Sequence, residues 1–206
     1  MENILKHAID KYLYKASNDK FRSEFYNILD TIDNIPLLED LLAQYLPYTH
    51  ISLPICERIL EVDSENKKAL IAMVDLFWLD GEDEKALTAV DSAYRIYPDD
   101  ADILSRKAML AKTNSEAIEY YSKAIKLSPR KPNLFYNLAV ILEKEGKLRK
   151  AKEYYMQAIN LNVSQEFNGK KVLEESKKGI DRLEKELQKG VHHEYDFNFP
   201  PQNSFV

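Results

Sequence analysis

Three stretches of this chain say nearly the same thing: KALTAVDSAYRIYP from Lys85, EAIEYYSKAIKLSP from Glu116 and KAKEYYMQAINLNV from Lys150. Aligned, the first small residue is Ala86, Ala117 and Ala151, and the second is Ala93, Ala124 and Ala158. The closing position is Pro98, Pro129 and Val163. Each series steps by 31 and then 34 residues, so three markers hold one register. A self-similarity of this period calls for stacked supersecondary units rather than a single closed core. Alanines seven apart lie on one face of a helix, two turns from each other. Small side chains there let a neighbouring helix come close. Val90, Tyr121 and Tyr155 stand between them and supply bulk. The prolines end two of the segments and start the next connection.

Each of these helices is preceded by another amphipathic one. In PNLFYNLAVILEKEG the apolar residues Leu134, Phe135, Leu138, Ala139 and Leu142 recur at three and four, and Gly146 marks the turn. In NKKALIAMVDLFWLDG the expected core set is Leu70, Met73, Val74 and Phe77, with Gly81 at the turn. The middle copy is three residues shorter and lacks a glycine. Its turn falls on Thr113-Asn114-Ser115, with Asn114 or Ser115 expected to cap the next helix.

This pattern resembles the tetratricopeptide repeat (TPR) family, which places a large residue, a Leu and a small residue in the first helix. Ala, an aromatic, Ala and then Pro follow at a 34-residue period. Pro132 to Val163 carries the fullest match, through Phe135, Leu138, Ala139, Leu142, Ala151, Tyr155 and Ala158. Ala101 to Lys131 departs in its first helix, where Lys107 takes the usual Leu position. The resemblance implies an all-α, right-handed α-solenoid of antiparallel helix pairs, a TPR-like superhelix of about eleven helices with a C-terminal capping helix. The expected organisation is N-terminal hairpins over 1–66, including a degenerate repeat, then three repeats over 67–100, 101–131 and 132–163. A capping helix over 164–190 and an aromatic tail over 191–206 follow. In the N-terminal part, Ile4, Leu5, Ala8, Ile9, Tyr12 and Leu13 form one apolar stripe, and Phe21, Phe25, Ile28, Leu29 and Ile32 another.

TPR proteins usually hold a peptide or a partner helix on the face lined by their first helices. Carrying the family's groove positions over implies Lys68, Ile71, Asp75, Trp78 and Leu79 in one repeat and Asp102, Ser105, Arg106 and Met109 in the next. Asn133, Tyr136, Asn137, Val140 and Lys144 follow in the third. One subclass grips a C-terminal carboxylate with a Lys/Asn/Arg clamp; here Ile71 and Asp75 stand where that clamp needs Lys and Asn, so none is expected. Aromatic and aliphatic anchors, oriented by Asp75, Asp102, Arg106 and Asn137, are expected instead. The implied role is a non-enzymatic adaptor, scaffold or partner-specific chaperone. The alternatives are a neutralising protein that sheathes one partner, or a non-catalytic subunit of an enzyme or nucleic-acid-handling complex.

Other function classes find little support in the residues. A net charge of −5 argues against a phosphate-binding surface, so no direct nucleic-acid partner is expected. The single cysteine, Cys56, sits among apolar neighbours and reads as a buried small hydrophobe. There is no Gly-rich phosphate loop, calcium-loop spacing or nucleophile–base pair. His192-His193-Glu194 reads as a solvated pair rather than a metal site, and Asp80 to Glu84 as a helix-capping turn. No cofactor or metal is therefore expected. The N-terminus lacks an apolar signal core, and no run approaches a membrane span of ~20 apolar residues. The expectation is a cytoplasmic protein with another protein or peptide as its partner. The aromatic residues Tyr195, Phe197, Phe199 and Phe205 are a candidate tail motif, docked on the final helices or on a partner.

Overall fold

A computed structural model describes residues 2–14, 19–161 and 167–196. Among the described residues there are eleven helices and no strand. They divide into two compact units, residues 1–110 and 111–206.

The first unit holds α1 (Glu2–Tyr14), α2 (Asp19–Leu29), α3 (Ile35–Tyr45), α4 (Thr49–Val62), α5 (Lys67–Leu79), α6 (Asp83–Ile96) and α7 (Ala101–Met109). Each starts where the local chemistry permits. Asn34, Asn66 and Asp100 take extended backbone and accept hydrogen bonds from Leu37, Ala69, and Asp102 and Ile103, so orphan amides at α3, α5 and α7 are satisfied. Pro36 occupies the first turn of α3, where no amide hydrogen is needed. Pro54 lies inside α4 and is buried there.

Leu5, Ala8, Ile9 and Tyr12 bury one face of α1 against Phe25, Leu29 and Ile32 and against α3 and α4. Ile4, expected on that stripe, points to water, because Leu5 and Ile9 already fill the seam. The α5 core also differs from expectation. Leu70 and Val74 are buried, but Ala69, Ala72 and Leu76 are buried as well, while Met73 and Phe77 are only half covered. The helix is gripped on two sides: Ala69, Ala72 and Leu76 join the core made by α1 to α4, and Met73 and Phe77 are left to floor an open cavity of about 550 Å³ beside α6.

Ala86 and Ala93 of α6 are fully buried and Val90 fills the space between them. Lys107, at a position expected to hold Leu, keeps a covered stem and turns its ammonium to Asp91 and over the Tyr94 ring. A long cationic side chain thus covers apolar surface while its head reaches a carboxylate.

The second unit holds α8 (Asn114–Leu127), α9 (Pro132–Lys144), α10 (Leu148–Leu161) and α11 (Phe167–Asp196). Thr113, not Asn114 or Ser115, caps α8. Its extended backbone aims the hydroxyl at the Glu116 amide in a Thr-x-x-Glu arrangement, and the Asn114 amide donates instead to Glu145 at 2.6 Å. Ala117, Ala124, Ala151 and Ala158 are buried beside Tyr121 and Tyr155, as the register of small and large residues predicts. Gly81 and Gly146 have φ of 74° and 70°, the left-handed conformation that ends a helix with least strain when no Cβ is present. α11 continues six residues beyond Gly190, since a lone glycine without a following proline costs too little to stop a helix. Tyr195 therefore lies on helical backbone, while Phe197, Phe199 and Phe205 fall outside the described residues.

Candidate functional site

In the first unit the expected groove residues fall on α5 and α7, and their charges are spent on each other. Arg106 donates through Nε and Nη2 to the two carboxylate oxygens of Asp75, at 2.7 and 2.5 Å, and through Nη1 to the Asp102 carbonyl at 3.0 Å. A guanidinium and a carboxylate meeting in a fork hold each other in one geometry. Asp75 and Arg106, read from the sequence as groups that orient a ligand, thus stitch α5 to α7. The cause is the shared face of neighbouring first helices, which sequence spacing does not reveal. Lys68 is likewise engaged, 2.5 Å from Glu39 of α3.

What this leaves open is apolar. Trp78 is 45% exposed and Met109 38%, with Ile71 and Ser105 half-buried. The run Leu76-Phe77-Trp78-Leu79 divides by helical geometry: Leu76 goes inward, Phe77 sideways, and Trp78 and Leu79 outward. α7 has nine residues against thirteen in α5. The shorter helix ends at Met109 and has no residue at the repeat position that Trp78 occupies on α5.

The second unit repeats the device with another outcome. Arg182 of α11 donates to both oxygens of Glu143 at 2.6 and 2.9 Å, and the Tyr155 hydroxyl donates to Glu143 at 2.8 Å. The Arg182 hydrogen bond holds the Glu143 carboxyl below the usual carboxylate range, and burial, with Glu143 beside it, raises the Tyr155 phenol. Gly179 lets α11 lie flat on the Tyr155 ring, for a Cβ there would stand 2.7 Å from Cε2. Tyr136 and Val140 are half-buried and share a cavity of about 300 Å³ with Arg182 and Glu175 of α11. Asn137 is also half-buried, whereas Asn133 and Lys144 remain exposed. Neither Glu143 nor Arg182 is among the groove positions that the sequence implies. Glu143 follows the same repeat step as Trp78, but Arg182 lies in α11, outside the repeat register.

The remaining chemistry is quiet. Burial pushes the Cys56 thiol up to about 12, which leaves it a thiol at neutral pH. Among the described residues no three His, Cys, Asp or Glu side chains stand together as a metal site, and no helix is long and apolar enough to cross a membrane. The side chains of His192, His193 and Glu194 lie outside the described residues.

Helix pairs with small residues at their junctions and a positive-φ glycine at the turn define a helical-repeat protein of the tetratricopeptide type. Comparison with known proteins agrees: the TPR repeat pattern matches residues 113–146, and the tetratricopeptide repeat pattern matches residues 132–162. Residues 113–162 thus carry tetratricopeptide repeats. It is 32% identical over 113 residues to the human protein O-mannosyl-transferase TMTC1, covering 51% of this chain and 12% of that protein. It is 31% identical over 137 residues to the peroxisomal targeting signal receptor of Eremothecium gossypii, covering 65% of this chain and 22% of the receptor. The chain therefore spans less than a quarter of either curated relative. Among solved structures, Pseudomonas aeruginosa PilF superposes with a TM-score of 0.57 at 15% identity, over 91% of this chain and 90% of PilF, a likeness of fold.

Proposed function

We propose that the protein is a non-enzymatic interaction module that holds a segment of another protein against α5 and α7, with Ile71, Trp78 and Met109 as anchors. The observation that carries this reading is an exposed tryptophan next to charges that already neutralise one another. A ligand that sits there gains little from ion pairs, because Asp75 and Arg106 satisfy each other. It gains from covering aromatic and aliphatic surface, and tryptophan is the residue type most often dominant at such contacts. The fold supports the class of function, since TPR arrays serve as protein-interaction modules. The peroxisomal receptor among the relatives is consistent with an adaptor, scaffold or partner-specific chaperone.

The test is a peptide-display selection on the full chain, followed by titration of the selected peptides. Trp78→Ala is expected to weaken binding by about 2 kcal/mol, roughly 30-fold in Kd, with an unchanged melting curve and little dependence on salt. Selected peptides that bind Trp78→Ala as tightly as the parent would remove α5 and α7 as the site.

A further inference from the structure

The two glycine turns occupy the same place in their repeats and carry opposite charge. Gly81 is followed by Glu82, Asp83 and Glu84 at the start of α6, and Gly146 by Lys147, Leu148, Arg149 and Lys150 at the start of α10. All the charged side chains among these seven are exposed; Glu82 lies 3.4 Å from Lys85 and Lys147 3.7 Å from Glu145, so Asp83 and Glu84 carry the open charge of one turn and Arg149 and Lys150 that of the other. The acidic turn suits its helix, because carboxylates near an N-terminus complement the macrodipole. The basic turn opposes it: α10 has no acidic residue in its first turn and carries Arg149 and Lys150 there. Helix stability does not account for that choice.

Each turn also has an apolar partner feature, and the two features differ in shape. Beside the acidic turn Leu79 projects, 65% exposed, with Leu46 and Tyr48 exposed on the α3–α4 turn. The Thr49 hydroxyl donates to Asp80 at 3.1 Å and joins the two turns into one rim. Beside the basic turn lies a shallow, open depression of about 400 Å³, floored by Leu148 and Leu187 and edged by Lys147, Arg149 and Lys150. That volume falls in the range of ligand pockets, roughly 300–1,000 Å³, and admits a leucine side chain.

The geometry points to a second copy of this chain as the occupant: Leu79 and the acidic turn of one copy seat on the Leu148–Leu187 depression and basic turn of the next. The two patches are different surfaces of one chain, so the contact is head-to-tail and extends to a ring or an open array unless it closes on a pair. Exposed ion pairs contribute little singly, so the leucine must seat for the copies to stay together. The charges set the partner and the register, and salt screens them.

Sedimentation of the full chain over a concentration series tests this. Mass is expected to rise with concentration, and the rise to need more protein at about 1 M salt, where the screening length is near 3 Å, than at low salt. The triple variant Lys147→Glu/Arg149→Glu/Lys150→Glu places acid at a helix N-terminus, so it folds at least as well, and it stays monomeric. Glu82→Lys/Asp83→Lys/Glu84→Lys, which gives up the favourable charge at the α6 N-terminus, is also monomeric alone, and mixing the two triple variants restores association. Leu79→Ser, on an exposed position, also stays monomeric with an unchanged melting curve. A parent chain that is monomeric at every concentration overturns the inference. Association that survives the basic-turn reversal or Leu79→Ser overturns it equally.

Discussion

Asp75–Arg106 and Glu143–Arg182 are the same device in two places, a carboxylate on one helix bridged in a fork by an arginine on another. In the first unit the bridge lies beside a nine-residue α7, and Trp78 and Met109 remain in water. In the second unit the arginine comes from the thirty-residue α11, which also lays Gly179 on Tyr155 and half covers Tyr136. One bridge borders exposed apolar surface, the surface proposed above to take a partner; the other secures a helix of the same chain over its neighbours. An ion pair between first helices therefore says nothing of function until the apolar residues flanking it are known to be covered or free.

The sharpest way to break this contrast is Tyr155→Ala. Tyr155 is buried beneath α11 and bonded to Glu143, so its loss is expected to destabilise by about 3–5 kcal/mol, read by chemical denaturation. Trp78→Ala, in the exposed counterpart, is expected to stay within about 0.5 kcal/mol. Equal effects would erase the distinction between covered and open face.

Acid should act on the second unit through Glu143. Its folded carboxyl titrates below the unfolded value near 4.5, so its contribution is present above that pH and is lost as pH falls through the lower, folded value. Stability measured between pH 5 and 3 is expected to fall less steeply in Glu143→Gln than in the parent. Identical slopes would show that Arg182 does not anchor α11. The smallest expected effect is thermal: reversing Lys147, Arg149 and Lys150 to Glu should stabilise α10 by roughly 0.3–1 kcal/mol, and a lower melting temperature would mean that these cations support the fold.

The helix pairs were legible because their signals are local. Ala86, Ala93 and Val90 show their burial through a period of 3.6, and Gly81 and Gly146 announce a turn that needs positive φ. The α8 cap was misplaced by one residue because Thr, Asn and Ser can each cap, and backbone conformation chose Thr113. The division of α5 was less legible. Its apolar residues serve two neighbours, so Met73 and Phe77, which look like core, line an opening while Leu76 is sealed.

By itself the sequence determined a helical repeat, its step, its junction alanines and its turns, since each depends on side chains within one or two helical turns of each other. Which charges were spent and which aromatics stayed free was decided only by tertiary structure. Arg106 finds Asp75 31 residues away, and Arg182 finds Glu143 39 residues away. Such meetings depend on which helix faces pack together, and no local period encodes that.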